Sequence, residues 1–336
     1  MELSLLMKSF DVSGRLVTIN PTGNGNVNDT FLAIFRNTFA EEQVILQRVN
    51  RNVFPQPEAI MHNLRCLTAH VHPKLESEAE RADRVWQMPR IVKTRGGTDF
   101  FVDDAGDTWR VITKIASATA FDETQGAEHA AECGAVLGHF HWLVSDLDPR
   151  TMIDPLPGFH IMPAYLAKYD ATLKSMPLAA ERLNRMMHGD PKVNNIMIDD
   201  YTGKGTAMID LDTVSPGLIH YDFGDALRSI CNHAGEEEQN LSKVVFDLDL
   251  CSAFCKGYMA HARGFLTDSD RKYLYDSIRL ITFELGLRFF QDYLAGSVYF
   301  KVQHPEQNLN RARVQFRLCE SIEARERPIR ELLAGL

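Results

Sequence analysis

The chain has 336 residues, 45% of them hydrophobic, and a formal net charge of -9 at pH 7. This length can bury one or two substantial cores, while the negative charge and the lack of a Lys/Arg block argue against general binding of nucleic acid. The six cysteines form no CxxC pair and are typical of reduced thiols in a cytoplasmic protein. No apolar run of about 18 residues and no signal-peptide pattern occur, so we expect no membrane partner.

The first third of the chain is predicted to form a small antiparallel sheet. Short β-rich runs at residues 31–35 and 44–49 alternate with turn signals, including a Gly- and Asn-rich stretch at residues 21–25. Apolar residues recur at helical spacing at 58–70, which predicts one helix between the strands. This part of the chain therefore combines strands with a single helix.

Beyond about residue 120 the pattern becomes mainly helical. Apolar side chains recur on helical faces in three segments, residues 136–143, 241–248 and 274–289. Residues 113–120 are then the connector between an N-terminal lobe, residues 1–114, and a C-terminal lobe, residues 115–336. The predicted fold class is α+β with two lobes.

A polar loop with the sequence HGDPKVNN at residues 188–195 is the clearest chemical signal. Four residues separate Asp190 from Asn195, and a predicted β-hairpin over residues 196–211 brings Asp210 back towards both. Carboxylate and amide oxygens are ligands that Mg²⁺ prefers, and a further carboxylate can receive the proton of an acceptor hydroxyl. The spacing is typical of kinase-like phosphotransferases that use Mg²⁺ and a nucleotide.

Residues 187–195 (MHGDPKVNN) together with residues 208–212 (MIDLD) resemble the aminoglycoside/choline kinase family, in which HGD replaces the HRD of protein kinases. Further stretches resemble the N-acetylhexosamine 1-kinases of that family: VILQRVN at 44–50, LDTVSPGL at 211–218, YDFGDALR at 221–228 and LRFFQDYLAGSVYFK at 287–301. The resemblance covers most of the chain. It implies a protein-kinase-like two-lobed fold that binds ATP between a small antiparallel β lobe and a larger helical lobe.

The resemblance also implies roles for the residues of the polar loop. Asp190 matches the catalytic base, and Asn195 and Asp210 match the Mg²⁺ ligands. For Asp212, contact with a second metal ion and a hydrogen bond to the loop both remain open. His188 is expected to brace the loop rather than to move protons.

Residues 222–224 spell DFG, the metal-binding motif of protein kinases, but they follow Asp190 by more than thirty positions. Asp210 already occupies the position of the metal acid. We therefore interpret Asp222 as a brace for the loop, and Asp225 with Arg228 as a local pair at the start of a helix.

Gly23, Gly25 and Asn28 lie between the first two predicted strands, where the kinase-like fold places a loop over the phosphates. Glycines let the backbone approach a ligand, and N–H groups can face phosphate oxygens. We predict that these residues contact the nucleotide. A solvent-exposed hairpin is the alternative.

The strand at residues 44–49 is expected to offer a cation to the α- and β-phosphates. Arg48 and Gln47 point to opposite faces of a strand, so only one of them can face the cleft. Arg48 is the better electrostatic choice because guanidinium binds phosphate oxygens strongly, although the register could favour Gln47. Glu58 is the candidate acid partner on the following helix.

Glu284, Arg288 and Asp292 recur at i, i+4 and i+8 and share one face of a predicted helix. A solvated ladder of ion pairs would explain this spacing. The resemblance instead implies that Arg288 and Tyr299 contact the sugar, with Asp292 as a further candidate. A sugar pocket needs hydrogen-bonding groups beside aromatic surface.

The sequence thus predicts a kinase of a small-molecule hydroxyl that uses ATP and Mg²⁺, with the anomeric hydroxyl of an N-acetylhexosamine as the expected acceptor. A kinase of an amino alcohol or aminoglycoside is one alternative, which would need acids around a cationic acceptor. A catalytically silent nucleotide-binding protein is the other, and intact Asp190, Asn195 and Asp210 argue against it.

Overall fold

The computed structural model describes residues 2–23, 27–38, 40–78, 84–156 and 185–335. Within these ranges an antiparallel sheet near the N-terminus is followed by a mainly helical region. No helix in the described part of the chain is long and apolar enough to cross a membrane.

The N-terminal sheet follows a short helix, α1 (Leu3–Leu6). Its strands are β1 (Arg15–Pro21), β2 (Asp29–Arg36), β3 (Glu41–Val49), β4 (Ile91–Val92), β5 (Phe101–Val102) and β6 (Thr108–Thr113). Neighbouring strands follow the order β1-β2-β3-β6-β4, β5 also pairs with β6, and all pairings are antiparallel. The strands predicted at 31–35 and 44–49 are confirmed as parts of β2 and β3.

The two faces of this sheet have different surroundings. On one face Val44, Leu46 and Val111 are buried against Met7 and Phe10 of the N-terminal segment. Because side chains alternate along a strand, the intervening positions of β3 and β6 point to the other face. That second face is turned towards the helical region.

Helix α2 (Pro57–Glu78) follows the third strand and extends beyond the predicted residues 58–70, passing through Pro73. Its buried side chains Leu64, Leu67 and Val71 belong to the same core as the later helices. Burial of this face offsets the hydrogen bond that a proline removes from a helix. Helix α2 therefore joins the sheet to the helical core.

The chain enters the helical region through β7 (Ala118–Ala120), so the connector predicted at 113–120 ends in a strand. This strand pairs with β9 (Ile196–Asp199), which pairs in turn with β10 (Gly205–Met208). The boundary between two lobes near residue 114 stays a prediction.

The remaining helices are α3 (Ala127–Val144), α4 (Ile219–Ile230), α5 (Leu248–Ala262), α6 (Asp268–Lys272), α7 (Leu274–Leu294), α8 (Gln307–Glu323) and α9 (Glu326–Ala334). The helices predicted at 136–143 and 274–289 are confirmed within α3 and α7. The helix predicted at 241–248 is wrong, because only a 3-10 turn forms at Leu241–Lys243. Asp247 caps the start of α5 by accepting from the N–H groups of Asp249 and Leu250.

Helices α3 and α5 pack with their backbones in direct contact. A Cβ on Gly257 of α5 would lie 1.8 Å from the carbonyl oxygen of Ala131 in α3, so only glycine fits there. His141 of α3 and Tyr258 of α5 are buried, with His141 Nδ1 3.0 Å from the Tyr258 hydroxyl. The helix pair forms a dense core behind the loop at residues 188–195.

The hairpin of β9 and β10 positions the polar residues predicted from the sequence. The strand predicted at 196–198 is confirmed, but the returning strand ends at Met208 rather than at residue 211. The N–H of Ile209 then donates to the carbonyl oxygen of Asn195 at 2.9 Å. Strands β8 (Arg185–Met187) and β11 (Ser215–Gly217) pair with each other on either side of this unit. The polar loop and the residues after β10 are thereby held side by side.

Candidate active site

A cleft of about 470 Å³ separates the N-terminal sheet from the helical region. Strands β3 and β6 contribute one wall, and residues 209–213 contribute to the other together with the HGD loop, the name used here for residues 188–195. This volume is within the range of roughly 300 to 1,000 Å³ that is usual for small-molecule sites.

One buried carboxylate holds the HGD loop. Asp222, in the first turn of α4, accepts from the backbone N–H groups of His188 at 2.6 Å and Gly189 at 2.8 Å. His141 Nε2 lies 2.7 Å from the same carboxylate. Burial raises the pKa of Asp222, but these interactions outweigh it and leave the pKa below its ordinary value. The predicted bracing by Asp222 is confirmed.

Two residues of the HGD loop fix its backbone. Gly189 has φ 89° and packs so tightly that a Cβ there would lie 2.8 Å from the carbonyl oxygen of Thr213. His188 is buried, with Nε2 2.9 Å from the carbonyl oxygen of Ile209, while Nδ1 accepts from the N–H of Asp190 at 3.3 Å. His188 therefore braces the loop, as expected.

Asp190 lines the cleft between a lysine and an amide. Lys192 Nζ donates to Asp190 Oδ2 at 2.7 Å, and Asn195 Nδ2 donates to the Asp190 carbonyl oxygen at 2.7 Å. Burial raises the pKa of Asp190, but the charge of Lys192 outweighs it, so the pKa lies below its ordinary value. Lys192 lines the cleft as well, and the sequence interpretation missed it. A cation two positions after Asp190 was the signal that could have identified it.

Asp210 has a left-handed backbone, φ 60° and ψ 57°, immediately after β10. Such a conformation is uncommon for a residue other than glycine and is concentrated at functional sites. Burial and then the neighbouring carboxylate of Asp212 raise the pKa of Asp210 to about 6. Asp210 is thus a cleft-lining acid whose charge a cation would stabilise.

The donor set fits Mg²⁺. Asn195 uses its Nδ2 for Asp190, which directs Oδ1 of the amide away from that residue. Oδ1 of Asn195 and the carboxylate of Asp210 are the hard oxygen ligands that Mg²⁺ prefers. Among the described residues no group of three or more His, Cys, Asp or Glu side chains could hold a metal ion.

Asp212 is engaged by the N-terminal part of the chain on both carboxylate oxygens. Arg110 of β6 forms an ion pair with Oδ1, and Asn28 Nδ2 donates to Oδ2 at 2.6 Å. The side chains of Arg110 and Asp212 are only 2% and 4% exposed, so solvent does not screen this pair. These partners belong to the N-terminal part and not to the HGD loop, to which a hydrogen bond was predicted, and contact of Asp212 with a second metal ion stays a prediction.

The prediction that Arg48 faces the cleft is wrong. Arg48 shares a face of β3 with Val44 and Leu46, and it pairs with Asp29 at 3.0 Å and Asp107 at 3.1 Å near the surface. Strand alternation could not decide the register in the sequence, because both Gln47 and Arg48 are polar.

Gln47 occupies the cleft face instead of Arg48 and accepts from Arg110 Nε at 3.0 Å. Glu58 is exposed in the first turn of α2 and does not line the cleft. The acid partner of the cleft cation is therefore Asp212, from a different part of the chain.

The predicted glycine-rich loop is described in part. Gly23 has φ 75° and lines the cleft, and Asn28 lines it as well, whereas Gly25 lies outside the described residues. Ile45 and Ile112 of the sheet line one side of the cleft. Met197 and Ile209 line the other side, which leaves an apolar slot next to the polar groups.

Four further residues line the cleft and are called the aromatic wall: Arg288, Phe289, Tyr299 and Phe300. The Arg288 guanidinium lies 5.7 Å from the ring centroid of Tyr299 and 5.6 Å from that of Phe300. Arg288 and Tyr299, predicted from different segments, are thus brought together. Glu284 also lines the cleft and is buried, so the predicted polar stripe is not a solvated ladder.

Asp292, a predicted substrate ligand, does not line the cleft. Its Oδ1 accepts from the N–H groups of Val298 at 3.0 Å and Tyr299 at 2.8 Å, and Oδ2 accepts from the N–H of Phe300 at 3.0 Å and Asn308 Nδ2 at 2.8 Å. These bonds occupy both carboxylate oxygens. Asp292 supports the aromatic wall from behind.

Asp225 and Arg228 are buried within α4 rather than at its start, and both line the cleft. Arg228 Nε donates to Asp225 at 2.8 Å and Nη1 donates to Glu236 at 2.6 Å. Two acids, Asp225 and Glu236, thus share the one cation Arg228.

The sheet, the helical region and the cleft between them define a protein-kinase-like fold, as predicted. A microcompartment-associated aminopropanol kinase has this fold with a TM-score of 0.62 at 17% identity, covering 98% of each chain. A choline kinase from Cryptosporidium parvum gives a TM-score of 0.59 at 12% identity, covering 97% of this chain and 96% of that one. A spectinomycin phosphotransferase, solved in complex with ADP and spectinomycin, gives a TM-score of 0.54 at 11% identity, covering 96% of this chain and 97% of that one.

The profile of the APH phosphotransferase enzyme family matches residues 23–243, and the chain belongs to this family. Membership confirms the prediction of an ATP-dependent small-molecule phosphotransferase in the aminoglycoside/choline kinase family. The match does not extend to the aromatic wall.

Proposed function

We propose that the protein transfers the γ-phosphoryl group of ATP to the anomeric hydroxyl of an N-acetylhexosamine such as N-acetylglucosamine or N-acetylgalactosamine. The proposal combines the family membership with the composition of the aromatic wall. The observation that supports this acceptor is Arg288, which lines the cleft beside Tyr299.

The apolar slot suits an adenine base. Ile45 and Ile112 would cover one face of the ring, and Met197 and Ile209 the other. The phosphates would then extend towards Gly23, the residue of the glycine-rich loop that lines the cleft. In this arrangement the terminal phosphate reaches the HGD loop.

Asp190 is the proposed base. Its low pKa keeps it ionised at neutral pH, so it can orient the acceptor hydroxyl and take its proton as the new O–P bond forms and ADP leaves. Lys192 holds this carboxylate and adds a positive charge beside the transferred group. Mg²⁺ held by Asn195 and Asp210 would neutralise charge on the phosphates.

A permanent cation at the acceptor end favours a neutral acceptor. Arg288 can donate to hydroxyl or amide oxygens of a sugar, while Tyr299 and Phe300 offer ring surface to the sugar face. An aminoglycoside or amino alcohol would need acids around the acceptor. Asp225 and Glu236 share the one cation Arg228, and Glu284 also lines the cleft. The support for a neutral acceptor is therefore Arg288 beside the aromatic rings, and the amines are kept in the test.

The test is incubation with Mg-ATP and single acceptors, followed by ³¹P detection of the product. The panel contains N-acetylglucosamine, N-acetylgalactosamine, glucose, galactose, choline, 1-amino-2-propanol and an aminoglycoside. We expect an anomeric phosphate signal with the N-acetylhexosamines, absent with the matched Asp190→Asn variant. Turnover restricted to the amines would replace this proposal, and ATP binding without any turnover would favour a silent nucleotide-binding protein.

A further inference from the structure

The N-terminal sheet has a buried cation that faces the cleft from an unexpected strand. Arg110 lies in the middle of β6, opposite Gln47 of β3 in the antiparallel register, and both side chains line the cleft. Thr30 of β2 continues the same row and accepts from Gln47 Nε2 at 3.2 Å. The polar row Thr30, Gln47 and Arg110 thus crosses three strands, with its only charge on the last one.

The contacts of Arg110 leave one end of the guanidinium unused. Nε and Nη2 donate to Gln47 Oε1 at 3.0 and 2.7 Å, and Nη2 also pairs with Asp212. Nη1 is buried and has no hydrogen-bond partner among the described residues. A buried donor without an acceptor is costly, and an anion that accepts from it would offset that cost.

The position of Arg110 places it next to the loop that is expected to cover the phosphates. Asn28, beside the glycine-rich loop, and Arg110 both contact Asp212, so the cation lies between that loop and the residues after β10. Guanidinium presents paired donors that suit phosphate oxygens. Arg48, the other arginine considered for this role, is paired on the opposite face.

We propose that Arg110 is the phosphate-binding cation of the sheet and that Asp212 positions it. The strand that would ordinarily supply this charge presents the neutral Gln47, which orients the guanidinium instead. Arg110 contacts the nucleotide phosphates through Nη1, while Asp212 and Gln47 hold its other nitrogens. This inference rests on the nucleotide-binding part of the proposed function and does not depend on which acceptor is used.

Binding of ATP and of adenosine, measured by calorimetry on the full chain with Mg²⁺, tests the inference. Arg110→Gln is expected to weaken ATP binding by about 10- to 100-fold, the scale of a hydrogen bond to a charged group. Adenosine has no phosphate, so its dissociation constant is expected to stay within about twofold. Arg48→Gln is the matched control and is expected to leave both constants within about twofold, because exposed ion pairs contribute little.

A second pair of variants covers the case in which Arg110→Gln does not fold because Asp212 loses its partner. Adding Asp212→Asn removes the unpaired buried charge, and this double variant is expected to lose ATP affinity but not adenosine affinity. Adding Gln47→Lys to Arg110→Gln instead returns a cation to the same row and is expected to recover most of the ATP affinity.

Three results would overturn the assignment. One is ATP affinity within about threefold of the unaltered protein in a folded Arg110→Gln chain. Another is an equal loss for ATP and adenosine, which would make Arg110 structural only. The third is a failure of the unaltered protein to bind ATP, which would refute the proposed function together with this inference.

Discussion

The HGD loop and the aromatic wall are held by the same device, a buried aspartate whose carboxylate accepts consecutive backbone N–H groups. Asp222 binds the N–H groups of two residues of the loop, and Asp292 binds those of three residues at the wall. They differ in the side chain that completes each site: His141 contacts Asp222, whereas the neutral amide of Asn308 contacts Asp292. Supporting acids therefore look like ligands in a sequence, and mutations can separate support from ligation.

The largest effect on activity is expected for Asp190, which the HGD loop positions. Asp190→Asn should lower kcat by about 10²- to 10⁴-fold, because a base aimed at the acceptor acts mainly in the transition state. Nucleotide affinity should change little, and steady-state kinetics together with ATP titration measure both quantities. Activity within threefold of the unaltered protein would remove Asp190 from this role.

The second prediction separates support from ligation within the loop region. Asp222→Ala should lower the free energy of unfolding by about 3 kcal/mol, because it leaves His141 and two backbone donors without their buried acceptor. Asp210→Asn should not destabilise the metal-free protein, since burial and Asp212 already disfavour the ionised form. It should abolish Mg²⁺-dependent ATP binding, measured by calorimetry with and without Mg²⁺. If only Asp222 proved necessary for that binding, the metal assignment would be wrong.

At the aromatic wall, ligation should be distinguishable from structural support by the KM for the sugar. Arg288→Ala should raise the sugar KM by about 10- to 100-fold, the scale of a charge-assisted hydrogen bond, and leave the ATP KM nearly unchanged. Asp292→Ala should also lower the melting temperature, because four donors lose their acceptor. Arg317→Ala, in an exposed ion pair on α8, is the control. An unchanged sugar KM in folded Arg288→Ala would contradict the acceptor assignment.

The smallest expected effect is the contribution of His188, in the HGD loop, to the pH dependence of stability. Burial lowers the pKa of His188, and Nδ1 must stay unprotonated to accept from the N–H of Asp190. The unfolded chain binds this proton more readily, so stability is present above about pH 6.5 and declines as pH falls below it.

Urea unfolding at pH 7.5 and 5.5 measures this dependence. His188→Asn should be less stable at pH 7.5 but lose less stability on acidification, by up to about 1.4 kcal/mol for each pH unit below 6.5. The exposed His304→Asn variant is the control. An unchanged slope in His188→Asn would show that other groups cause the acid sensitivity.

Local spacing was enough to predict the HGD loop. Asp190, Asn195 and Asp210 lie on one short hairpin unit, so their separation in sequence nearly determines their separation in space. The strands β2 and β3 and the helices α3 and α7 were found for a similar reason, since each is a local periodic pattern.

Cross-strand and long-range relations could not be predicted in this way. Arg48 and Gln47 are adjacent polar residues, and only the burial of Val44 and Leu46 against the N-terminal segment decides which one faces the cleft. Arg110 meets Asp212 across about a hundred residues, and no spacing rule links them. The left-handed backbone of Asp210 likewise arises from the packing around the end of β10.

A series of hydrogen bonds runs from Tyr258 through His141 and Asp222 to Gly189. It connects the HGD loop to helices α3, α4 and α5. Asp190 is thereby anchored to the helical region, and Arg288 and Phe289 of the aromatic wall lie on α7, which packs on α4. Tyr299 packs against a cluster from the N-terminal part that includes Val49 and Ile60, and Lys301 Nζ donates to Asp29 at 3.0 Å. The aromatic wall therefore contacts both sides of the cleft and joins the N-terminal sheet to the helical region.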